Sequence, residues 1–319
     1  MKLRCLRRCE GGLSLRVVFL GTGGSVPTVE RSLPAILLRL QREQLMFDCG
    51  EGVQRQMVKA KVGFHRVTKI FVSHMHGDHV LGLPGLLQTM ALLGRERKLE
   101  VYGPEGIAGF LDCVQESLQF GLTFTVKIRE ICDDGVVCEE EDYTVEAVRS
   151  NHVVDGWSYA FLEKPRTGKF YPEKARKLGV PEGELWSRLK RGEAVELEDG
   201  VVVCSEEVVG SPRKGRKIVY SGDTRPFEGF VGFAVGADLV VHEATFDDTL
   251  AEKAELDGHS TPSQAALQAK KAKAKKLVLT HISARYTDAR LLLEQGKKVF
   301  ENTIMAEDFL VLELPLPKA

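Results

Sequence analysis

The chain has 319 residues, 43% hydrophobic and 28% charged, a balance that fits a folded protein able to bury a core without disulfide staples. Its formal net charge of −1 argues against a generic nucleic-acid coat protein, so any nucleic-acid substrate must be held by local basic patches. No apolar run approaches the roughly 18 residues of a membrane span. The basic start at Lys2, Arg4, Arg7 and Arg8 is not followed by a secretory apolar segment and cleavage site, so a cytoplasmic protein without membrane contact is expected.

In chain order, Arg16–Leu20 predicts a strand that ends in the glycine turn 21–24. Strands follow at 35–40 and 44–47, then a helix at 51–62. The strand 69–73 runs directly into His74-Met-His-Gly-Asp-His79, and residues 81–93 read as a helix. A further strand and helix occupy 99–102 and 104–118. Strands are expected at 122–128, 143–149 and 157–162. Past residue 215, strands are expected at 217–220, 238–241, 276–279 and 309–314, and helices at 262–275 and 288–300. This order, strand-rich and then helical in two halves, predicts an α/β fold of two packed sheets with helices on both outer sides. Seven cysteines at irregular spacing, among them Cys5 and Cys9 without a second pair nearby, read as reduced thiols.

Residues 164–215 differ in character. They carry two X-Pro dipeptides, several glycines and mixed charge but no long apolar run, and they read as an insertion projecting from the core, by residue type alone a solvated surface hairpin.

His74, His76, Asp78 and His79 put four ligand-capable groups within six residues, immediately after a strand. In extended backbone His74 and His76 point the same way, while Asp78 and His79 fall in the following turn and can face a second position. Imidazole and carboxylate both suit Zn²⁺. One histidine would be an ordinary core or surface residue; four groups at this spacing predict a metal site. His152, Asp223 and His281 each follow a predicted strand, where strand ends would gather them. Asp223 is the candidate to bridge two cations.

With these residues in view the chain resembles the metallo-β-lactamase superfamily. Phe19-Leu-Gly-Thr-Gly-Gly-Ser25, Phe47-Asp-Cys-Gly-Glu-Gly52, Ser73-His-Met-His-Gly-Asp-His-Val-Leu-Gly-Leu83, Ser221-Gly-Asp-Thr-Arg225, His242-Glu-Ala-Thr-Phe246 and His259-Ser-Thr261 together resemble the ribonuclease Z family, from about Leu15 to the C-terminus. The resemblance implies a four-layer αβ/βα sandwich over 15–319 with an inserted exosite arm at about 164–215, and an N-terminal extension at 1–14. It implies two Zn²⁺ per subunit, one held by His74, His76 and His152, the other by Asp78, His79 and His281, with Asp223 between them and Asp48 orienting the ligands. It further implies an endoribonuclease that removes the 3′ trailer of precursor tRNA, leaving a 3′-hydroxyl on the tRNA and a 5′-phosphate on the trailer. Asp78 would take the proton of the attacking water. His259, oriented by Glu243, would give one to the leaving oxygen.

The same resemblance turns the insertion into an arm that grips tRNA. Lys169, Lys174, Arg176, Lys177, Arg188, Lys190 and Arg191 are its candidate phosphate contacts, with Phe170, Tyr171 and Trp186 interleaved. Two positions depart from the family pattern: Gly183-Glu184 stands where a Gly-Pro pair is typical, and Ser32 follows Arg31 where asparagine is usual. A homodimer is also implied. Leu86, Leu87, Met90 and Leu93 fit either a subunit contact or the core. Two other readings compete: a small-molecule phosphodiesterase, arylsulfatase or lactonase on the same scaffold, and a non-catalytic RNA-binding subunit, disfavoured because every ligand candidate is present.

Overall fold

The runs at Leu15–Gly21, Ala35–Arg39, Gln44–Phe47, Val67–Phe71 and Leu99–Gly103 are buried on nearly every residue, as strands covered on both faces must be. In the computed structural model, which describes residues 15–316, they form one seven-stranded sheet with Val311–Leu314 at one edge and Val126–Glu130 at the other. Pairing is antiparallel as far as 44–47 and parallel from there to 126–130. The second seven-stranded sheet has the order Thr303–Met305, Leu277–Thr280, Leu239–Glu243, Lys217–Tyr220, Trp157–Glu163, Tyr143–Arg149, Gly135–Glu139. Its first four strands are parallel.

Phe47 stacks on Phe71 at 5.3 Å and Phe71 on Tyr102 at 4.8 Å, all from the first sheet. Tyr159 and Tyr220 of the second sheet close on them at 5.5–6.1 Å, so an aromatic layer joins the sheets. The outer face of the first sheet is covered by helices Val53–Lys59, Gly82–Leu92 and Ile107–Leu118, whose apolar sides share one core cluster with its strands. Glu228–Phe233, Pro262–Lys271 and Arg290–Val299 cover the second in the same way. The result is the expected helix–sheet–sheet–helix sandwich. Leu86, Leu87 and Met90 lie in the first core, so that stripe is packing rather than subunit contact; Leu93 alone is exposed.

Several boundaries differ from expectation. The helix expected over 51–62 forms only at 53–59, because Gly52 and Lys61 both take positive φ, 78° and 54°. The strand expected at 122–128 sits at 126–130. The edge strands 135–139 and 303–305 have no signal in the sequence; the first is largely exposed and the second has three residues, so neither makes an apolar run. The expected extension 1–14, with Cys5 and Cys9, lies outside the described residues. The five cysteines within them form no disulfide.

The chain divides into two compact units, the second built mainly from residues 163–216. This segment is not the solvated hairpin its composition suggested. Helices Pro172–Lys177, Glu184–Lys190 and Ser205–Val208 and a short hairpin, Val195–Glu196 with Val202–Val203, surround a core of Ala175, Val180, Trp186, Leu189, Val195, Val203 and Val208. These apolar residues are spread over three short helices, the hairpin and the loop at Val180, which is why no run announced them. Glu184 opens its helix after Gly183 at φ 127°. A carboxylate in the first helical turn is favourable, and N1 accepts glutamate as it would proline.

Candidate metal centre

The sharp change of direction after the 67–71 strand separates the ligand candidates. His74 still pairs as extended backbone, opposite Gly156, and His76 is the extended residue that starts the short helix Gly77–Val80. Asp78 and His79 lie inside that helix. Two groups of the candidate ligands result, His74, His76, His152 and Asp223, and Asp78, His79 and His281, and a third overlapping set joins Asp223 and His281 to His259. The downstream members arrive as predicted from the ends of strands in the second sheet. His281 follows Leu277–Thr280 at φ 58°, and Asp48 follows Gln44–Phe47 at φ 57°. Left-handed backbone at two non-glycine residues is a cost of about 1–3 kcal/mol each, characteristic of functional sites.

The donor atoms fit a metal. Four ligands on a tetrahedral Zn²⁺ with bonds of about 2.0–2.1 Å lie about 3.3 Å apart. His152 Nε2 is 3.3 Å from His76 Nδ1. His281 Nε2 is 3.3 Å from His79 Nε2 and 3.3 Å from Asp78 Oδ2, and His79 Nε2 is 3.5 Å from Asp78 Oδ2. Asp223 Oδ2 reaches both groups, 3.7 Å from His74 Nε2, 3.4 Å from His79 Nε2 and 3.3 Å from His281 Nε2. His74 Nε2 and Asp223 Oδ1 are buried with no hydrogen-bond partner, a costly arrangement unless a cation satisfies them.

Three of the other imidazole nitrogens are anchored on the far side from the donor cluster. Asp48 accepts from His79 Nδ1 at 2.7 Å, the Gly258 carbonyl from His152 Nδ1 at 2.7 Å, and Thr245 Oγ1 lies 2.8 Å from His281 Nδ1. Such contacts fix tautomer and ring orientation. Asp48 accepts in addition from Ser73 N, Ser73 Oγ and Tyr220 Oη, at 2.6, 2.9 and 2.6 Å. Backbone approach is tight: a Cβ on Gly24 would lie 2.5 Å from the His281 ring, and one on Gly258 2.7 Å from His152 Nδ1.

Electrostatics divides the histidines. Burial lowers the pKa of His74, His76 and His152, so they stand as neutral imidazoles, the form a cation would need. Burial also opposes charge on His79, but the Asp223 and Asp48 carboxylates raise it well above the usual value. Burial would raise Asp78 and Asp223, yet the adjacent His281 and His79 hold both carboxyls well below the ordinary range.

His259 sits beside both groups, 5.2 Å from His152 and 5.5 Å from His281 between ring centres. Its Nδ1 donates to Glu243 Oε1 at 2.9 Å. Burial disfavours its charged form, but the Glu243 carboxylate and, behind it, Asp223 together outweigh burial and raise its pKa to about 9. Glu243 is 1% exposed, which rules out the ordinary surface carboxylate it resembles in sequence. Sequence reasoning missed Ser73, Tyr220 and Thr245. Ser73 adjoins a ligand and Thr245 follows Glu243 by two, but Tyr220 gave no signal, since a tyrosine in an apolar strand reads as core.

In the second unit, the three candidate arginines are already paired with carboxylates. Arg176 Nη2 is 2.7 Å from Glu182, and Arg188 and Arg191 share Glu193 at 3.0 and 2.8 Å. Among the described residues Lys169, Lys174, Lys177 and Lys190 make no ion pair; Lys174 lies over Tyr171 and Lys190 over Phe170. Phe170 and Trp186 pack on each other at 5.1 Å, so of the three interleaved aromatics these two belong to the arm's own core.

Two mixed sheets enclosed by helices, with imidazoles and carboxylates converging at the strand ends, define a metal-dependent hydrolase of the metallo-β-lactamase fold. A Beta-lactamase superfamily domain model matches residues 203–282, and a family model described as Anti-Pycsar protein Apyc1 matches 15–170. The chain is 48% identical to a Ribonuclease Z of Methanosarcina acetivorans over 94% of its length and 98% of that protein's, and 47% identical to one of Haloferax volcanii over 95% and 96%. Among solved structures, the short form of human tRNase Z is 30% identical, with a TM-score of 0.71 over 94% of this chain and all of that one. The chain belongs to the ribonuclease Z family.

Proposed function

We propose that the protein is a zinc-dependent endoribonuclease that cuts precursor tRNA on the 3′ side, leaving a 3′-hydroxyl on the tRNA and a 5′-phosphate on the trailer. The observation that carries the reading is the convergence of seven donors at 3.3–3.7 Å beside the hydrogen-bonded His259–Glu243 pair. His74, His76 and His152 would hold one divalent ion and Asp78, His79 and His281 a second, with Asp223 between them. When bound, such ions supply Lewis acidity that makes water nucleophilic near neutral pH and offsets charge on the phosphoryl oxygens.

The chain's own groups do the rest. Asp78, held ionised by its histidine neighbours and fixed by the Ser25 amide at 2.8 Å, accepts the proton of the attacking water. His259 keeps Nδ1–H on Glu243, which leaves Nε2 to carry the proton given to the leaving 3′-oxygen. Family membership and four unpaired arm lysines support tRNA over a small phosphodiester as substrate. The family pattern also supports a homodimer working in the cytoplasm, and among the described residues no helix is long and apolar enough to cross a membrane.

The test is cleavage of a precursor-tRNA transcript with both new ends mapped, before and after chelation and after adding back Zn²⁺. Deleting 165–210 separates this reading from a small-molecule phosphodiesterase. Precursor-tRNA cleavage should collapse while hydrolysis of a small aryl phosphodiester persists. Intact protein that hydrolyses the small diester but leaves precursor tRNA uncut would favour the alternative.

A further inference from the structure

The donor His281 and the His259–Glu243 pair are linked by one side chain outside the candidate ligand set. The parallel register that places Glu243 opposite Thr280 brings residue 245 beside His281, and Thr245 is buried there. Its hydroxyl lies 2.8 Å from His281 Nδ1 and 2.6 Å from Glu243 Oε2.

A hydroxyl has one proton. A contact of 2.6 Å between a hydroxyl and an ionised carboxylate requires that proton to lie between them. Thr245 therefore donates to Glu243 and can only accept at its other contacts, the nearer one to His281 and a longer one, 3.3 Å, to His259 Nδ1, whose proton goes mainly to Glu243. His281 Nδ1 must be the donor there, which leaves the Nε2 lone pair facing Asp78, His79 and Asp223. The opposite arrangement, with the proton on His281 Nε2, would take the threonine proton for Nδ1 and leave Glu243 Oε2 without its shortest donor. Glu243 is fixed in turn on every side, by the Thr224 and Thr245 amides at 2.9 and 3.2 Å and by His259 Nδ1.

We propose that Thr245 is a positioning residue: one ordered chain, His281 to Thr245 to Glu243 and from the other side His259 to Glu243, sets the tautomer of a metal ligand and of the proton donor together. This rests on the reading of His281 as a ligand. The hydroxyl, not the methyl, carries the role, and the two can be separated. Thr245→Val keeps the β-branched shape and removes the hydroxyl, while Thr245→Ser keeps the hydroxyl and removes the methyl.

Zn²⁺ affinity is measured by competition with a chromophoric chelator, and kcat and KM for precursor tRNA at saturating Zn²⁺, with thermal melting of each variant to check folding. Thr245→Ser should stay within a few-fold of wild type in affinity and kcat. Thr245→Val should lose about 10- to 100-fold in Zn²⁺ affinity and should lower kcat with little change in KM. A merely packing role predicts the reverse ranking, and either that or equal behaviour of the two variants overturns the proposal. Wild-type protein that binds no Zn²⁺ would instead sink the metal reading itself, before any variant is compared.

Discussion

Asp48 Oδ2 accepts from His79 Nδ1 at 2.7 Å, with both side chains fully buried. The contact settles which nitrogen of His79 turns toward Asp78 and Asp223. Asp48 has four donors in all, more than an amide of the same shape can serve. Asp48→Asn would set an NH₂ against at least one of them. We expect Zn²⁺ affinity to fall by about 10- to 100-fold and folding stability by about 1–3 kcal/mol for the unsatisfied group. Chelator competition and urea unfolding measure the two; unchanged affinity would show that His79 needs no anchor.

The His259–Glu243 pair gives a pH prediction. Burial alone would discharge His259, but Glu243 raises its pKa to about 9. The donor form is therefore present below that value and declines as pH rises through it, so kcat should fall on an alkaline limb near pH 9. Glu243→Gln removes the charge responsible and should move the limb to lower pH. His259→Ala should cost about 10²- to 10⁴-fold in kcat with metal content unchanged. Full-rate cutting by the alanine variant would remove His259 from the mechanism.

What the sequence disclosed followed from how locally each feature is encoded. The clustered imidazoles and carboxylates were legible because a His-x-His-x-Asp-His cluster lies on six consecutive residues and the other candidate ligands sit at the ends of apolar strands. The four-layer arrangement was legible because buried strands are continuous apolar runs. The 135–139 strand was not, since an exposed edge needs no such run, and neither was the arm's core, assembled from single residues far apart. Tyr220 and Thr245 were hidden for a related reason. Their partners, Asp48 and His281, are 172 and 36 residues away, and only the fold brings them together.

The arm should respond to acid through one ion pair. Arg216 donates to Glu163 through Nε at 2.8 Å and Nη2 at 2.6 Å, and both side chains are largely buried. Burial would raise the Glu163 pKa, but these bonds hold it below the usual glutamate value. A carboxyl depressed in the folded state stabilises above its unfolded pKa, about 4.3, and that contribution disappears as pH falls through the folded value. Arm structure should therefore hold at pH 6 and loosen below about pH 4, read by Trp186 fluorescence. Arg216→Met leaves a buried charge unpaired and should cost about 3–5 kcal/mol at neutral pH. A flat fluorescence profile from pH 6 to pH 3 would count against the pair as the arm's acid-sensitive link.

The arm's basic residues should not contribute equally to RNA binding. Arg176, Arg188 and Arg191 already face Glu182 or Glu193, whereas Lys169, Lys174, Lys177 and Lys190 have no carboxylate partner among the described residues. A phosphate that recruits one of the arginines must compete with an existing ion pair; one that meets a lysine need not. Replacing the four lysines with alanine should raise KM for precursor tRNA and leave kcat nearly constant, since phosphate binding that takes no part in the reacting bond is shared by ground and transition states. The slope of log affinity against log salt should flatten by roughly one for each phosphate no longer neutralised. Replacing the three arginines should change the slope much less and should mainly release Glu182 and Glu193. If the arginine set flattens the slope as much as the lysine set, the carboxylates swing away on binding and their pairing with the arginines does not govern recognition.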